Sequence, residues 1–148
     1  MTLELYFRLI VTSIFQKRVV NDKFVFGNKM NYDNQFFICP RIFCKDGFNI
    51  SAQIHNGSYC ISENGYREFG LTWEEVEFGY PSVNDEELWP YCEKLEDLFE
   101  EGNEISEGLS CIGSIGRIPL IKLQEICDKH GGIDWETTLS VENCKKFM

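Results

Sequence analysis

Alternating apolar and polar residues predict two β-strands near the middle of the chain. The first covers residues 48–55 and places four apolar residues on one face: Phe48, Ile50, Ala52 and Ile54. The second covers residues 73–80 and places Glu75 and Glu77 on one side. Its other side carries Val76, Phe78 and Tyr80. A period of two is expected of a strand with one buried face. Both segments therefore predict strands that cover a core.

Turn signals predict how these strands are connected. Asp46-Gly47 precedes the first strand and Asn56-Gly57 follows it, and both dipeptides favour tight turns. Residues 59–61 then predict the start of a return strand. Residues 110–116, which contain two glycines, predict a further strand with close backbone contacts.

An acidic helix is predicted after the second strand. Asn84 is its expected N-cap, with Glu87 at the reciprocal capping position. Pro90 then either separates a first turn from the main helix or kinks the helix. The apolar stripe of this helix consists of Leu88, Tyr91, Leu95, Leu98 and Phe99.

A second helix is predicted to start with Pro119 in its first position and to end at His130-Gly131-Gly132. Its expected inner face consists of Leu120, Leu123, Ile126 and Cys127. Asp134 and Ser140 are predicted to cap two short helical segments near the end of the chain. The order of elements predicts a small α+β domain, with a mainly antiparallel sheet of three to five strands and two or three helices on one face.

The first 29 residues differ from the rest in charge. They carry a net charge of +3, whereas residues 30–148 carry −13. They lack the cleavage site of a signal peptide. One interpretation is an N-terminal extension, residues 1–29, that precedes a natural start at Met30 and packs poorly against a single domain of residues 30–148. The other is a basic amphipathic segment that covers a core face or touches a membrane: Leu3, Tyr6, Phe7, Ile10 and Ile14.

Charge limits the expected partners. The net charge of −10 disfavours nucleic acid as a direct ligand, because phosphate binding depends on Lys and Arg. No run approaches the roughly 18 apolar residues of a membrane span. We expect a basic protein surface as the partner, and self-association is possible for such a domain.

The cysteines indicate a reducing compartment. Seven cysteines at irregular spacing are typical of thiols in a cytoplasm and not of a disulfide framework. A weak zinc set consists of Cys39, Cys44, His55 and Cys60, but it lacks a second matched pair. Thiol catalysis by Cys60 with His55, or by Cys127 with His130, lacks an orienting third group. We therefore expect no cofactor.

Two arginines are the candidate ligand-binding residues of an alternative function. Arg67 lies in a long predicted loop, and loops often carry binding residues. Arg117 follows two glycines just before a predicted helix, where exposed amides favour phosphate.

Three blocks carry a resemblance to a known group of sequences: residues 57–60 (Gly-Ser-Tyr-Cys), residues 73–82 (Trp-Glu-Glu-Val-Glu-Phe-Gly-Tyr-Pro-Ser) and residues 116–132, which run from Gly-Arg-Ile-Pro to His-Gly-Gly. Together they resemble a family of small, uncharacterised bacterial and phage or prophage proteins. The chain departs from the family pattern at Arg117, where a tyrosine is expected, and an arginine expected after the Tyr-Cys block is displaced to Arg67. The resemblance implies a mobile-element setting and does not indicate an activity.

The acidic helix and the resemblance together support one functional hypothesis. The chain is predicted to be a non-enzymatic cytoplasmic protein that inhibits a host defence protein by covering a basic surface. The alternatives are a protein that sequesters a nucleotide or other small molecule through Arg67 and Arg117, and a thiol- or zinc-dependent enzyme. The predicted partner-binding residues are Trp89, Tyr91, Glu93, Glu96, Asp97, Glu100 and Glu101.

Overall fold

A computed structural model describes residues 1–8, 39–54, 61–62, 65–66, 73–93 and 109–144. Its strands are β1 (Ile42–Phe43), β2 (Asn49–Gln53), β3 (Ile61–Ser62), β4 (Gly65–Tyr66), β5 (Trp73–Gly79) and β6 (Ile115–Pro119). Its helices are α1 (residues 3–8), a 3-10 helix (Glu86–Tyr91), α2 (Leu120–Lys129), α3 (Trp135–Thr138) and α4 (Val141–Cys144). Within these ranges, no helix has the length and apolar content needed to cross a bilayer.

Strand β5 is the centre of the sheet. β2 and β3 follow one another along one edge of β5, and β6 pairs with the other edge. β1 extends the sheet from β2, and β4 extends it from β3. Every one of these pairings is antiparallel, so the predicted α+β class with an antiparallel sheet is confirmed.

The strand that was predicted to begin at residues 59–61 does not return along β2 in the described residues. Residues 61–62 pair with β4 and β5 and not with β2. β3 therefore continues along β5 in the same direction as β2. The turn signal at Asn56-Gly57 lies outside the described residues, and a local dipeptide does not specify which edge the next strand joins.

The predicted core faces are confirmed. All four apolar residues of the first alternating segment are buried, as are Val76 and Phe78 of β5. Tyr80, predicted on the same side, is instead 59% exposed, because β5 ends at Gly79 and Tyr80 leaves the strand with a φ of 52°. α2 buries its four predicted inner residues in the same core and packs against β5 and β6. Burial of these apolar side chains is the main favourable contribution to folding.

Two glycine-containing turns hold the ends of β2 and α2 together. Gly47 (φ 97°) and Gly131 (φ 89°) both adopt the left-handed conformation, which glycine tolerates without a steric cost. The amide of Asp46 donates to the carbonyl of His130 at 3.2 Å, and the amide of Lys45 donates to that of Gly132 at 2.9 Å. The turn before β2 therefore lies against the C-terminal end of α2, which ends as predicted.

The start of the acidic segment differs from the prediction by one residue. Asp85, not Asn84, caps the 3-10 helix, because its carboxylate accepts from the amide of Glu87 at 3.0 Å. Asn84 instead accepts from the indole of Trp89 at 2.7 Å and from the amide of Cys111 at 3.1 Å. Pro90 lies inside this short helix, which ends at Tyr91. The first turn is therefore a separate element, but Pro90 belongs to it and does not begin the main helix as the corresponding interpretation expected. Residues 94–108, which include the rest of the predicted helix, lie outside the described residues.

The strand predicted for residues 110–116 begins later than expected. Residues 112–113 form a turn, and the strand covers Ile115–Pro119. Gly113 has a φ of 83° in that turn. Pro119 ends the strand, and α2 starts one residue after it. The predicted caps of the two last helices are confirmed, since Asp134 accepts from Thr137 and Ser140 accepts from Asn143.

Residues 1–8 pack into the core. Leu3, Tyr6 and Phe7 are buried, and the Tyr6 ring lies 5.2 Å from that of Trp135. Three side chains of α1 therefore cover part of the core, and the interpretation of residues 1–29 as an N-terminal extension stays a prediction. Residues 9–29 lie outside the described ranges, and the choice between Met1 and Met30 as the natural start stays a prediction.

Leu3→Ala is expected to lower the free energy of unfolding by about 2–5 kcal/mol, because it leaves a cavity in a closed core. Leu5 is 46% exposed on the same helix, so Leu5→Ala is the matched control and is expected to change stability by less than about 0.5 kcal/mol. Urea unfolding followed by circular dichroism measures both. Equal effects would contradict the packing of α1.

Gly116→Ala is expected to lower the free energy of unfolding by about 3 kcal/mol or more. A Cβ at this position would lie 1.9 Å from the carbonyl oxygen of Tyr91, which is a backbone atom and cannot rotate away as the end of a side chain can. Gly79→Ala is the control on the neighbouring strand, where the nearest atom to the added carbon is the Cγ2 methyl of Ile115, at 3.1 Å. We expect Gly79→Ala to stay within about 1 kcal/mol of the unmodified protein.

Candidate functional site

A groove of about 430 Å³ lies beside the outer edge of the sheet. Strands β5 and β6 form one wall, and the end of the 3-10 helix with the residues after it forms the other. Its lining residues are Glu75, Pro90, Tyr91, Glu93, Gly116, Arg117 and Pro119.

The register of β5 and β6 places the charged residues of the groove. Val76 pairs with Ile118 in the core, so their neighbours in sequence lie on the opposite face of the sheet. Glu75 pairs with Pro119 on this outer face, and Arg117 pairs with Glu77. The alternation that buries one face thus presents Glu75 and Arg117 to the groove.

Gly116 allows the second wall to approach the sheet. Cys92 forms an isolated antiparallel bridge with Gly116. The carbonyl of Tyr91 occupies the space that a side chain at this position would need. Since Tyr91 and Glu93 flank the bridged Cys92, the bridge positions both side chains at the groove.

The groove is acidic overall. Arg117 Nε lies 3.4 Å from Glu75 Oε2, and the side chains are 42% and 28% exposed. Such a partly exposed ion pair contributes little to stability. Glu93 is exposed and adds a second carboxylate. The lining residues therefore combine two carboxylates, one guanidinium, the ring of Tyr91 and two prolines.

The structure brings only part of the predicted binding set together. Tyr91, Glu93 and Arg117 meet in the groove, although the sequence assigned them to two different functions. Trp89 is partly buried against the core and bonded to Asn84, so it does not line the groove. Glu96, Asp97, Glu100, Glu101 and Arg67 lie outside the described residues.

A second polar site, the histidine cluster, lies at the C-terminal end of α2. It consists of Asp46, Asp85, Glu87, Lys129 and His130. His130 Nδ1 lies 2.6 Å from Asp46 Oδ2, and its Nε2 lies 2.8 Å from Asp85 Oδ2. Its ring stacks on Phe48 at a centroid distance of 4.1 Å. The imidazole therefore joins the turn before β2 to the residue that caps the 3-10 helix.

Lysines extend this cluster along α2. Lys129 Nζ lies 2.8 Å from Asp85 and 2.5 Å from Glu87. Lys122 Nζ lies 3.0 Å from the other oxygen of Glu87. The carboxylate of Asp85 is 5% exposed, so its charge is compensated by close partners and not by bulk water.

These contacts shift the acidities of the carboxyl groups. Burial opposes ionisation of Asp85, but hydrogen bonds from Lys129, His130 and the Glu87 amide outweigh it and lower its pKa. The amide of Phe48 and then His130 lower the pKa of Asp46. Lys129 and then Lys122 lower the pKa of Glu87. The cluster therefore stabilises the ionised carboxylates.

The geometry of the histidine cluster favours a structural role. Both nitrogens of His130 already contact carboxylates, and its side chain is 14% exposed. No ring nitrogen is left to accept a proton from a substrate. Sequence reasoning missed Asp46 and Asp85 as partners of His130, because residues so far apart in the chain meet only after folding. The local sequence predicted only the Asp46-Gly47 turn, and not its contact with His130.

The cysteine hypotheses are tested only in part. Cys39 and Cys44 are buried thiols, and hydrogen bonding with the Cys127 side chain lowers the pKa of Cys44. The contacts of His130 are with aspartates, so Cys127 and His130 do not form a thiol–imidazole pair. His55 and Cys60 lie outside the described residues. In the part of the chain that is described, no three His, Cys, Asp or Glu side chains are grouped to hold a metal ion.

Comparison with models of known protein families, with curated proteins and with solved structures found no match to this chain.

The histidine cluster predicts a specific loss of stability in acid. Because the folded-state pKa values of Asp46, Asp85 and Glu87 are lowered, their contribution is complete above the ordinary values of about 3.9 and 4.3 and is lost as pH falls through the folded values. Asp85→Asn is expected to lower stability at neutral pH by roughly 1–3 kcal/mol and to flatten this acid dependence.

Urea unfolding at a series of pH values between neutrality and strong acid measures this dependence. Glu136→Gln removes a carboxylate from an exposed position of α3 and serves as the control. Parallel pH profiles for the unmodified protein and Asp85→Asn would contradict the assignment of the acid dependence to this cluster.

Proposed function

We propose that this chain is a non-enzymatic acidic protein of a phage or other mobile element. In this proposal it binds a basic surface of a host defence protein and inhibits that protein by covering the surface. The supporting observation is the groove, which Tyr91 lines together with the carboxylates of Glu75 and Glu93. A lysine or arginine side chain of the partner is the complementary ligand.

Each part of the groove suits such a side chain. An aromatic ring attracts a cation placed over its face, and the two prolines provide apolar surface for an aliphatic stem. The carboxylate of Glu93 is exposed at the groove. Tyr and Arg are also common among the residues that contribute most to protein interfaces.

The ion pair of Glu75 with Arg117 does not prevent a cationic side chain of the partner from binding in the groove. At 3.4 Å and with both groups partly exposed, the pair is weak, so rearranging it costs little. Arg117 stands where the family resemblance would place a tyrosine. The pair adjusts the charge of the groove.

The charge of the whole chain supports the same choice of partner. A net charge of −10 accelerates encounter with a basic surface and makes the association sensitive to salt. For the alternative, an anionic ligand, Arg117 is the one basic residue among the groove residues, and Glu75 and Glu93 would repel a phosphate. The described groove thus favours a cationic ligand.

Glu93→Gln is expected to weaken binding of a fluorescent hexa-arginine peptide by about five- to tenfold at low salt, because it removes one groove carboxylate. Tyr91→Leu is expected to have a similar effect through loss of the aromatic face. Glu136→Gln makes the same change of charge at an exposed site on α3 and is expected to change the affinity by less than about twofold. Fluorescence anisotropy measures all four proteins.

Affinity capture from the native host then tests the biological partner. We expect a basic protein that binds the unmodified chain and Glu136→Gln but not Glu93→Gln. Equal peptide affinities for Glu93→Gln and Glu136→Gln would show that the change in affinity depends only on the net charge of the protein. That result would contradict a specific contact in the groove. Thermal stabilisation by nucleotides, with no response to the peptide, would support the small-molecule alternative.

A further inference from the structure

Arg117 reaches along the sheet to a carboxylate that is not its direct cross-strand partner. In the register of β5 and β6, Arg117 lies opposite Glu77, and Glu75 lies opposite Pro119. Diagonal neighbours of this kind are within reach of a long side chain, and Arg117 Nε lies 3.4 Å from Glu75 Oε2. Of the two carboxylates, Glu75 is the one that lines the groove. Arg117 therefore places its positive charge beside a groove carboxylate.

The contact is loose for an arginine and a carboxylate. Charge-assisted hydrogen bonds between such groups are about 2.7–2.9 Å long and often form in parallel pairs, so a separation of 3.4 Å does not reach the strongest geometry. Both side chains are also partly exposed, and water screens such a pair. A guanidinium of the partner can therefore displace Arg117 from Glu75 at a small cost in free energy.

We propose that Arg117 is an internal competitor for the cationic side chain of the partner. In the free protein it neutralises Glu75, and in the complex the partner's guanidinium takes its place on that carboxylate. Arg117 is thus a residue that sets the affinity and the selectivity of the groove. This inference rests on the proposed function, because it requires that the groove binds a cation.

Competition of this kind makes the groove selective for a large partner. A ligand that requires Glu75 loses affinity in proportion to the fraction of molecules in which Arg117 occupies it. The loss is the same for an isolated cation and for a basic protein, but only the protein can offset it with contacts outside the groove. Arg117 therefore suppresses the binding of small cations and of isolated basic side chains.

The affinity for the fluorescent hexa-arginine peptide at low salt tests the competition. Arg117→Gln is expected to tighten binding by on the order of three- to fivefold, because Glu75 becomes available and one positive charge leaves the groove. Arg8→Gln is the matched control, since Arg8 forms an exposed ion pair with Glu4 at 2.9 Å on α1. It makes the same change of net charge away from the groove and is expected to tighten binding by less than about twofold.

A double variant attributes the gain to Glu75. Glu75→Gln alone is expected to weaken peptide binding, because it removes a groove carboxylate. In that background, Arg117→Gln is expected to gain no more than Arg8→Gln, since Arg117 no longer has this carboxylate to neutralise. Such non-additivity is expected of two residues in direct contact. Arg117→Lys keeps the charge and is expected to stay within about twofold of the unmodified protein.

The Nε–H signal of Arg117 in heteronuclear NMR spectra measures the displacement directly. We expect saturating peptide to move this signal toward the position that it has in peptide-free Glu75→Gln, in which the ion pair is already broken. A signal that keeps its position at saturation would overturn the displacement of Arg117.

The variants separate failure of this inference from failure of the proposed function. Binding that requires Glu93 but is equal in Arg117→Gln and Arg8→Gln would overturn the competition alone. An equal gain in Arg117→Lys and Arg117→Gln would also overturn it, because the effect would then depend on side-chain shape and not on charge. No binding of the peptide by the unmodified protein would overturn both the competition and the proposed function.

Discussion

The antiparallel pairing of β5 with β6 is the constraint on which the described structure depends. Its register sets Val76 opposite Ile118 and Phe78 opposite Gly116, so one face of both strands is apolar and can receive α2. The opposite face then carries Glu75 and Arg117. Since side chains alternate along a strand, a shift of one residue would exchange the core face with the groove face. Stability and the composition of the groove are therefore set by the same pairing.

The absence of a side chain at Gly116 connects this pairing to the rest of the fold. The 3-10 helix can place the Tyr91 carbonyl against the sheet because no Cβ stands there. The other end of this helix is capped by Asp85, which also contacts His130 and Lys129 of α2. The short helix is therefore fixed at both ends by the elements that enclose the core. Tyr91 and Glu93 owe their positions at the groove to these two attachments.

The polar contacts of Asp85 differ in kind from the apolar packing around them. A carboxylate that is 5% exposed would be costly to bury alone, and Lys129, His130 and a backbone amide offset that cost together. Breaking one contact leaves charged partners behind, so the cluster stabilises the fold only as a unit. This interdependence makes the junction of α2, the turn before β2 and the 3-10 helix sensitive to pH.

The sequence by itself determined the features that depend on neighbouring residues. Alternation identified β2 and β5 and most of their buried residues, and helical spacing identified the inner face of α2. Glycine and aspartate signals located the turn before β2, the end of α2 and the cap at Asp134. Only the tertiary structure decided which edge of β5 receives β3, that Tyr91, Glu93 and Arg117 share one groove, and that His130 binds Asp46 and Asp85. The physical reason is that local propensity depends on a few neighbouring residues. These contacts join segments that are distant in the sequence and that come together only when the common core is buried.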